Sequence, residues 1–316
     1  MKPRIGTLLE AIRYFSDPDV CLEYLVAQRW PDGVACPICG SKEVHFIATR
    51  RLWRCKNRHA GQQFSIKVGT IFEDSPIGLD KWLPAIWLIC SAKNGISSYE
   101  LQRSLGVSQK TAWFMLHRIR LAMQTGTFAK MVGEVEIDET YIGGKARFQH
   151  ESKRKHIGTG GMGKVAVMGL LERHGPDGHS AVRTQIVPNV RRQALSPEVS
   201  KHVEAGSAVY TDALKSYSKL SETYIHKVID HAEKYAEGSV HTNGLENFWS
   251  LLKRSIKGTY ISVEPFHLFR YLDEQALRFN TREGTDVQRF ERVLGQVIGR
   301  RLTYNDLTGQ TAAATI

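Results

Sequence analysis

From Gly133 onward the chain abandons helical spacing for alternation, and the order of its later elements leaves few folds open. The run Gly133-Glu134-Val135-Glu136-Ile137-Asp138 opens a strand predicted over 134–142, with further strands at 164–172 and 183–188. A helix near 191–204, a strand at 207–211, a helix at 212–220, a strand near 223–229 and a helix at 243–257 complete the series. Upstream the spacing is helical, from Ile5 to Phe15 and from Asp17 to Trp30. The second helix has Asp17 as N-cap and Pro18 at its first position, and it stops at Pro31-Asp32-Gly33. A cysteine-bearing hairpin region runs to about Glu73, Gly78 to Met123 is helical again, and Gln124 to Val132 reads as a linker. Helices at about 265–280 and 285–299 close the chain.

Three strands, then helix, strand, helix, strand and helix is the order of an RNase H-like α/β domain. Three acids stand at informative places in it. Asp138 closes the alternating run, Asp212 follows the strand Ala208-Val209-Tyr210-Thr211, and Glu246 opens the helix from Asn243. On that helix Leu245, Phe248, Trp249, Leu252 and Ile256 share one narrow face, which must be core. Asn243, Glu246, Ser250, Lys253, Arg254 and Lys257 share the other. Glu before Lys or Arg is also the signature of a salt-bridged solvent face; the two strand acids tip the reading toward an active site. Hard oxygen ligands suit two Mg²⁺ (or Mn²⁺) ions, whose shells water and phosphate complete. Asp138 would bridge the ions, Asp212 and Glu246 would each take one, and Lys253 would steer a phosphate. Asn243 is one turn from Glu246, so either could face the strand acids; charge favours Glu246 and leaves Asn243 beside a ligand or against DNA.

The chain carries 43 Lys and Arg against 32 Asp and Glu, a net charge of +11 that calls for a polyanionic partner. An anionic membrane surface would attract it too. However, no apolar run approaches the ~20 residues of a membrane span, and no secretory apolar region opens the chain. Double-stranded DNA is the expected partner. Of five cysteines, Cys21 and Cys90 lie in apolar helical stretches, whereas Cys36-Pro-Ile-Cys39 and Cys55 with His59 have the paired spacing of a zinc ribbon. One structural Zn²⁺ in a reducing cytoplasm, associated with the nucleoid, is therefore expected, with Trp53 and Phe64 packed over so small a site. A second CxxC pair would place the fourth ligand at 58, which is Arg58, so the expected ligand is His59, one position on.

Between Ser98 and Ala122 lies a helix-turn-helix pattern. Leu101, Leu105, Val107, Ala112, Met115, Leu116 and Ile119 face inward, while Gln109, Lys110, His117, Arg118 and Arg120 are expected outward on the second helix, toward a major groove. An ordinary helical hairpin with a solvated basic face is the plainer alternative. The loop from Gly143 to Lys164 is basic and glycine-rich, and Lys153, Arg154 and Lys155 are expected to clamp a DNA backbone there. Its end, Gly158 to Lys164, nearly spells a P-loop, but Val165 replaces the required hydroxyl and a strand succeeds it where phosphate binding needs a helix. The architecture expected is thus a multidomain α+β chain: N-terminal helices and zinc ribbon at 1–75, helix-turn-helix at 76–125, the RNase H-like catalytic domain at 130–283 and a helical tail at 284–316.

Five segments in order resemble the DDE transposases of the ISXO type, enzymes of bacterial insertion sequences related to the Merlin elements. They are CPIC with CxxxH, FSIKVGTIFEDS at 64–75, EIDETYIGGK at 136–145, VYTDALKSY at 209–217 and HTNGLENFWSLLKR at 241–254; YLDEQALRFNTR at 271–282 extends the likeness. The resemblance implies binding of terminal inverted repeats, metal-dependent cleavage and strand transfer into target DNA by an RNase H-like domain. Asp138, Asp212 and Glu246 would be the acidic triad and Lys253 its associated lysine. Apart from the resemblance, Arg254 and Lys257 on the polar face of the same helix are expected to touch DNA, and a homodimer or higher oligomer is expected on it. Two other readings compete: a DNA-binding regulator on an inert α/β scaffold, and a hydrolytic nuclease of the same fold. The triad separates the first of these from an enzyme, because a pure binder needs no metal-ready acids.

Overall fold

The computed structural model describes residues 5–124, 129–143, 163–175, 178–212, 215–229 and 241–310. It divides into two compact units. One runs from the N-terminal stretch to Met123 and is rejoined by the chain from Glu283 onward; the other runs from Gln124 to Arg282.

In the first unit, α1 (Leu8–Tyr14) starts at a Thr7–Glu10 capping box, and α2 (Pro18–Arg29) starts where the Asp17 side chain accepts the Asp19 N–H. An antiparallel ribbon comes next, β1 (Val44–Ile47), β2 (Leu52–Cys55) and β3 (Gln63–Phe64), in that spatial order. Its small core is aromatic: Trp53 stacks on Phe64 at 6.0 Å, and Trp30 meets both rings edge-on. Three helices continue the unit, α3 (Leu79–Ser91), α4 (Ser98–Leu105) and α5 (Gln109–Ala122). Ser97 and Ser108 cap the last two, as their positions before each apolar run dictate.

The second unit is a five-stranded sheet covered on both faces. Its elements are β4 (Glu134–Ile142), β5 (Val165–Glu172), β6 (Ala181–Val187), α6 (Arg192–His202), β7 (Ala208–Asp212), β8 (Ile225–Ile229), α7 (Asn243–Ser255) and α8 (Leu268–Asn280). The strand order is β6-β5-β4-β7-β8; the β6–β5 and β5–β4 pairs are antiparallel, and β4–β7 and β7–β8 are parallel. Alternation along β4 sends Val135 and Ile137 to one face, where they pack with Leu195 and Val199 of α6 and Val209 of β7. Glu134, Glu136 and Asp138 therefore share the opposite face. There Val167 and Leu171 of β5 meet Leu245, Phe248, Trp249 and Leu252 of α7 and Leu272 of α8. Since Val209 points to the α6 side, Tyr210 and Asp212 of β7 lie on the α7 side. The strand that begins at Val165 also removes the helix a P-loop would need after Lys164.

One predicted element differs. Instead of a helix over 212–220, the described residues form two 3₁₀ turns, Lys215–Tyr217 and Leu220–Glu222. Tyr217 and Leu220 are buried against the sheet, and the Ser216 hydroxyl donates to the Val190 carbonyl at 2.6 Å. Side-chain bonding of this kind competes with helical pairing in a serine-rich stretch. Beyond α8 the chain returns to the first unit with α9 (Asp286–Gly295), which packs on α3, and α10 (Tyr304–Thr308).

Candidate active site and metal centre

Two sites can be built from these elements, one in each unit. In the ribbon, the turn before β1 presents Cys36 and Cys39, and the end of β2 with the turn after it presents Cys55 and His59. Their donor atoms all lie within 4.8 Å of one another, the one group of three or more such donors drawn so close among the described residues. Cys39 Sγ is 3.6 Å from Cys55 Sγ, and Cys36 Sγ is 3.5 Å from His59 Nε2. A tetrahedral zinc with Zn–S bonds of about 2.3 Å has ligand–ligand edges of roughly 3.5–3.8 Å, so the four donors fit the ion. His59 Nδ1 meets the Ala60 carbonyl at 2.8 Å, the outer contact that turns Nε2 toward a metal. Cys39 is drawn down to about 7, chiefly by the Ser41 backbone N–H, which favours the metal-binding thiolate near neutral pH.

In the second unit, Asp138 and Asp212 stand on adjacent strands and one face, and the first turn of α7 sets Glu246 over that face. Asp138 is half-buried, and both its oxygens have partners: Oδ1 accepts the Glu139 N–H at 2.8 Å and Oδ2 accepts Trp249 Nε1–H at 3.0 Å. Burial raises its pKa to about 6 against the two hydrogen bonds, and the charges of Asp212 and Glu246 push the same way. The three acids thus act on one another electrically without closing into the tight cage seen at the ribbon. Water and phosphate have room in such a shell. Lys253 is half-buried two turns along α7, while Asn243, Arg254 and Lys257 are exposed.

Comparison with known proteins gives these positions a context. Residues 130–280 match the family model described as ISXO2-like transposase domain, and residues 16–57 match the transposase zinc-ribbon domain. An uncharacterized protein in transposable element ISH50 of Halobacterium salinarum is 29% identical over 245 residues, spanning 73% of this chain and 80% of that protein. Residues 130–280 are an ISXO2-like transposase domain. With the matched ribbon, the chain carries the two domains of an insertion-sequence transposase.

The transposase domain contains several contributors that sequence reading passed over. Glu139, next to Asp138, is raised to about 8, first by burial and then by the Asp138 and Asp212 charges. Gly169, the β5 partner of Asp138, makes room for the Trp249 ring: a Cβ there would stand 2.5 Å from the ring's Cζ2. Glu136 is 1% exposed, bonds Arg173 Nε at 2.8 Å and accepts the Leu245 N–H of α7 at 2.9 Å. The spacing Glu134-x-Glu136-x-Asp138 was the available signal, since two further acids on the face of Asp138 need partners if that face is covered.

The expected DNA-facing residues separate into groups. Lys153, Arg154 and Lys155 lie outside the described residues. Gln109 is half-buried and donates to Ser98 Oγ at 2.9 Å; Lys110 is exposed with its ammonium 4.6 Å from the Tyr304 ring. The outward placement of His117, Arg118 and Arg120 is corrected: they are 0%, 4% and 1% exposed. Helix α5 is packed by α3, α4 and α9, so its inward stripe is wider than its apolar residues alone suggest. Arg118 is held by the carbonyls of Ile71 at 3.0 Å, Glu73 at 2.7 Å and Leu302 at 3.0 Å, which makes it a structural tie and not a phosphate contact. No described helix is long and apolar enough to cross a membrane.

Proposed function

We propose that this transposase binds the terminal inverted repeats of its element and catalyses DNA cleavage and strand transfer at Asp138, Asp212 and Glu246. The observation that carries the reading is electrostatic. Burial first, and then the carboxylates of Asp212 on β7 and Glu246 on α7, raise the cost of ionising Asp138 on β4, and a divalent cation relieves that cost. Two Mg²⁺ or Mn²⁺ ions held there would activate a water or 3′-hydroxyl and stabilise the leaving oxygen of an in-line displacement. Asp138, aimed by Trp249 and the Glu139 N–H, would hold the ions together with Asp212 and Glu246. Lys253 would orient a phosphate, and Asn243 would support a ligand or touch DNA. The strand order, with β4 between an antiparallel and a parallel neighbour, supports an RNase H-like fold for this domain.

The ribbon holds one structural Zn²⁺ through Cys36, Cys39, Cys55 and His59. Helices α4 and α5 act as a helix-turn-helix in which Gln109 and Lys110 read bases, and Arg254 and Lys257 contact the DNA backbone. Cutting and joining two ends calls for a homodimer or higher oligomer on DNA.

The deciding experiment compares the full-length protein with Asp138→Asn, Asp212→Asn and Glu246→Gln on a labelled terminal repeat in Mg²⁺. Each variant should bind the end normally and lose both cleavage and joining. Retained joining in all three would place the active site elsewhere.

A further inference from the structure

We propose that Arg173, working with Glu136, is the positioning residue that sets the three acid-bearing elements in register; this rests on the reading that Asp138, Asp212 and Glu246 form the active site. The acids come from two strands and a helix, so their spacing is only as fixed as the packing of those elements. Arg173 stands one residue beyond β5, where its N–H donates to the Glu134 carbonyl at 2.8 Å. Arg173 is 8% exposed, and its side chain reaches every element that matters. Nε donates to Glu136 Oε1 at 2.8 Å on β4. The guanidinium carbon lies 4.3 Å from the centre of the Tyr210 ring on β7. Nη2 donates to the His241 carbonyl and to its Nδ1 at 2.9 Å, just before α7.

The second oxygen of Glu136 completes the clamp by accepting the Leu245 N–H at 2.9 Å. That carboxylate caps an unsatisfied donor of the first turn of α7 and complements the helix dipole. Glu134 joins as well, accepting the Tyr210 hydroxyl at 2.5 Å. Each anchor sits beside an acid: Glu136 two residues before Asp138, Tyr210 two before Asp212, and Leu245 one before Glu246. Gly244 makes the approach possible, because a Cβ there would meet Glu136 Oε2 at 2.9 Å and Leu171 Cδ1 at 3.0 Å.

A buried ion pair is a weak source of stability, since apolar residues of similar volume serve as well or better. A planar fork able to bond in three directions is instead what fixing a geometry requires. Groups that hold metal ligands in place show themselves in metal affinity when they are altered.

The test uses the full chain and a terminal-repeat duplex, with Mn²⁺ and Mg²⁺ titrated separately. Gly244→Ala, Glu136→Gln and Arg173→Lys should each weaken Mn²⁺ binding, read directly from the paramagnetic resonance of the free ion, and raise the metal concentration for half-maximal cleavage, both by about 10-fold or more. Metal-free end binding should be unchanged. Gly244→Ala is the sharpest, because its methyl displaces the Glu136 carboxylate while every charged group stays in place; a purely structural role would lower the melting temperature and leave the metal dependence unchanged. Should Glu136→Gln fail to fold, Tyr210→Phe, which removes only the hydroxyl bonded to Glu134, replaces it. Wild-type metal dependence in variants that melt cooperatively would overturn the proposal. Failure of the active-site reading looks different: cleavage by Asp138→Asn equal to wild type would remove that reading and this inference with it.

Discussion

Asp138 has both carboxylate oxygens engaged by the protein itself, one on the Glu139 N–H and one on the Trp249 indole. Its orientation is therefore built in. Trp249→Phe keeps most of the packed ring and removes the 3.0 Å bond, so it should leave the fold intact while slowing cleavage about 10-fold through a less well-aimed ligand. Unchanged single-turnover cleavage would show the indole to be packing alone. Gly169→Ala tests the same contact from the sheet side. Its methyl would enter the Trp249 ring and should cost about 1–3 kcal/mol, read as a lower melting temperature. Protonation gives a third measure. A carboxylic acid raised from 3.8 to about 6 binds its proton more tightly in the native state than in the unfolded chain. Stability from this group is thus full below about pH 3.8 and falls as pH rises to about 6, by roughly 3 kcal/mol in all. In metal-free buffer the wild type should lose melting temperature across that window relative to Asp138→Asn. Parallel profiles for the two proteins would contradict the assignment.

Helix α7 shows what was legible at the scale of an element and what was not. Its apolar stripe, Leu245, Phe248, Trp249 and Leu252, is buried as its spacing requires, and the strands of the sheet fall within a few residues of where their alternation put them. Legibility ended where side chains answer to partners far along the chain. Arg118 and His117 look like a solvated face in sequence; packing by three neighbouring helices buries them, and distant carbonyls satisfy the arginine. Likewise Glu136 looks like a surface position on a strand until Arg173, 37 residues on, neutralises it. On α7 itself, Glu246→Gln should abolish cleavage and joining, whereas Asn243→Ala, one turn earlier and neutral, should only slow them. The reverse pattern would exchange their roles. In the ribbon, Cys36→Ser or Cys55→Ser should release zinc and weaken end binding, because so small an aromatic core depends on the metal for its fold. His59→Ala is the finer test: full zinc retention by elemental analysis would exclude it as the fourth ligand.

At the scale of the whole molecule, a net charge of +11 dominates how the protein meets its partner. Phosphate contacts of this kind release counterions, so affinity should be steeply salt-dependent. If about 6–10 phosphates are neutralised, binding should weaken by roughly 10³–10⁵ between about 50 and 200 mM salt. The contributions divide by chemistry. Substituting Lys153, Arg154 and Lys155 together should flatten the salt slope while leaving the ranking of DNA sequences unchanged, since phosphates carry no sequence information. Substituting Gln109 or Lys110 should do the opposite, altering preference among terminal sequences at nearly constant slope. Arg118→Ala belongs to neither class. Leaving the carbonyls of Ile71, Glu73 and Leu302 without a donor should lower the melting temperature, with DNA affinity falling only as far as the fold does. A salt slope reduced by Arg118→Ala in a protein that still melts like wild type would return that arginine to the DNA interface and refute its role as a structural tie.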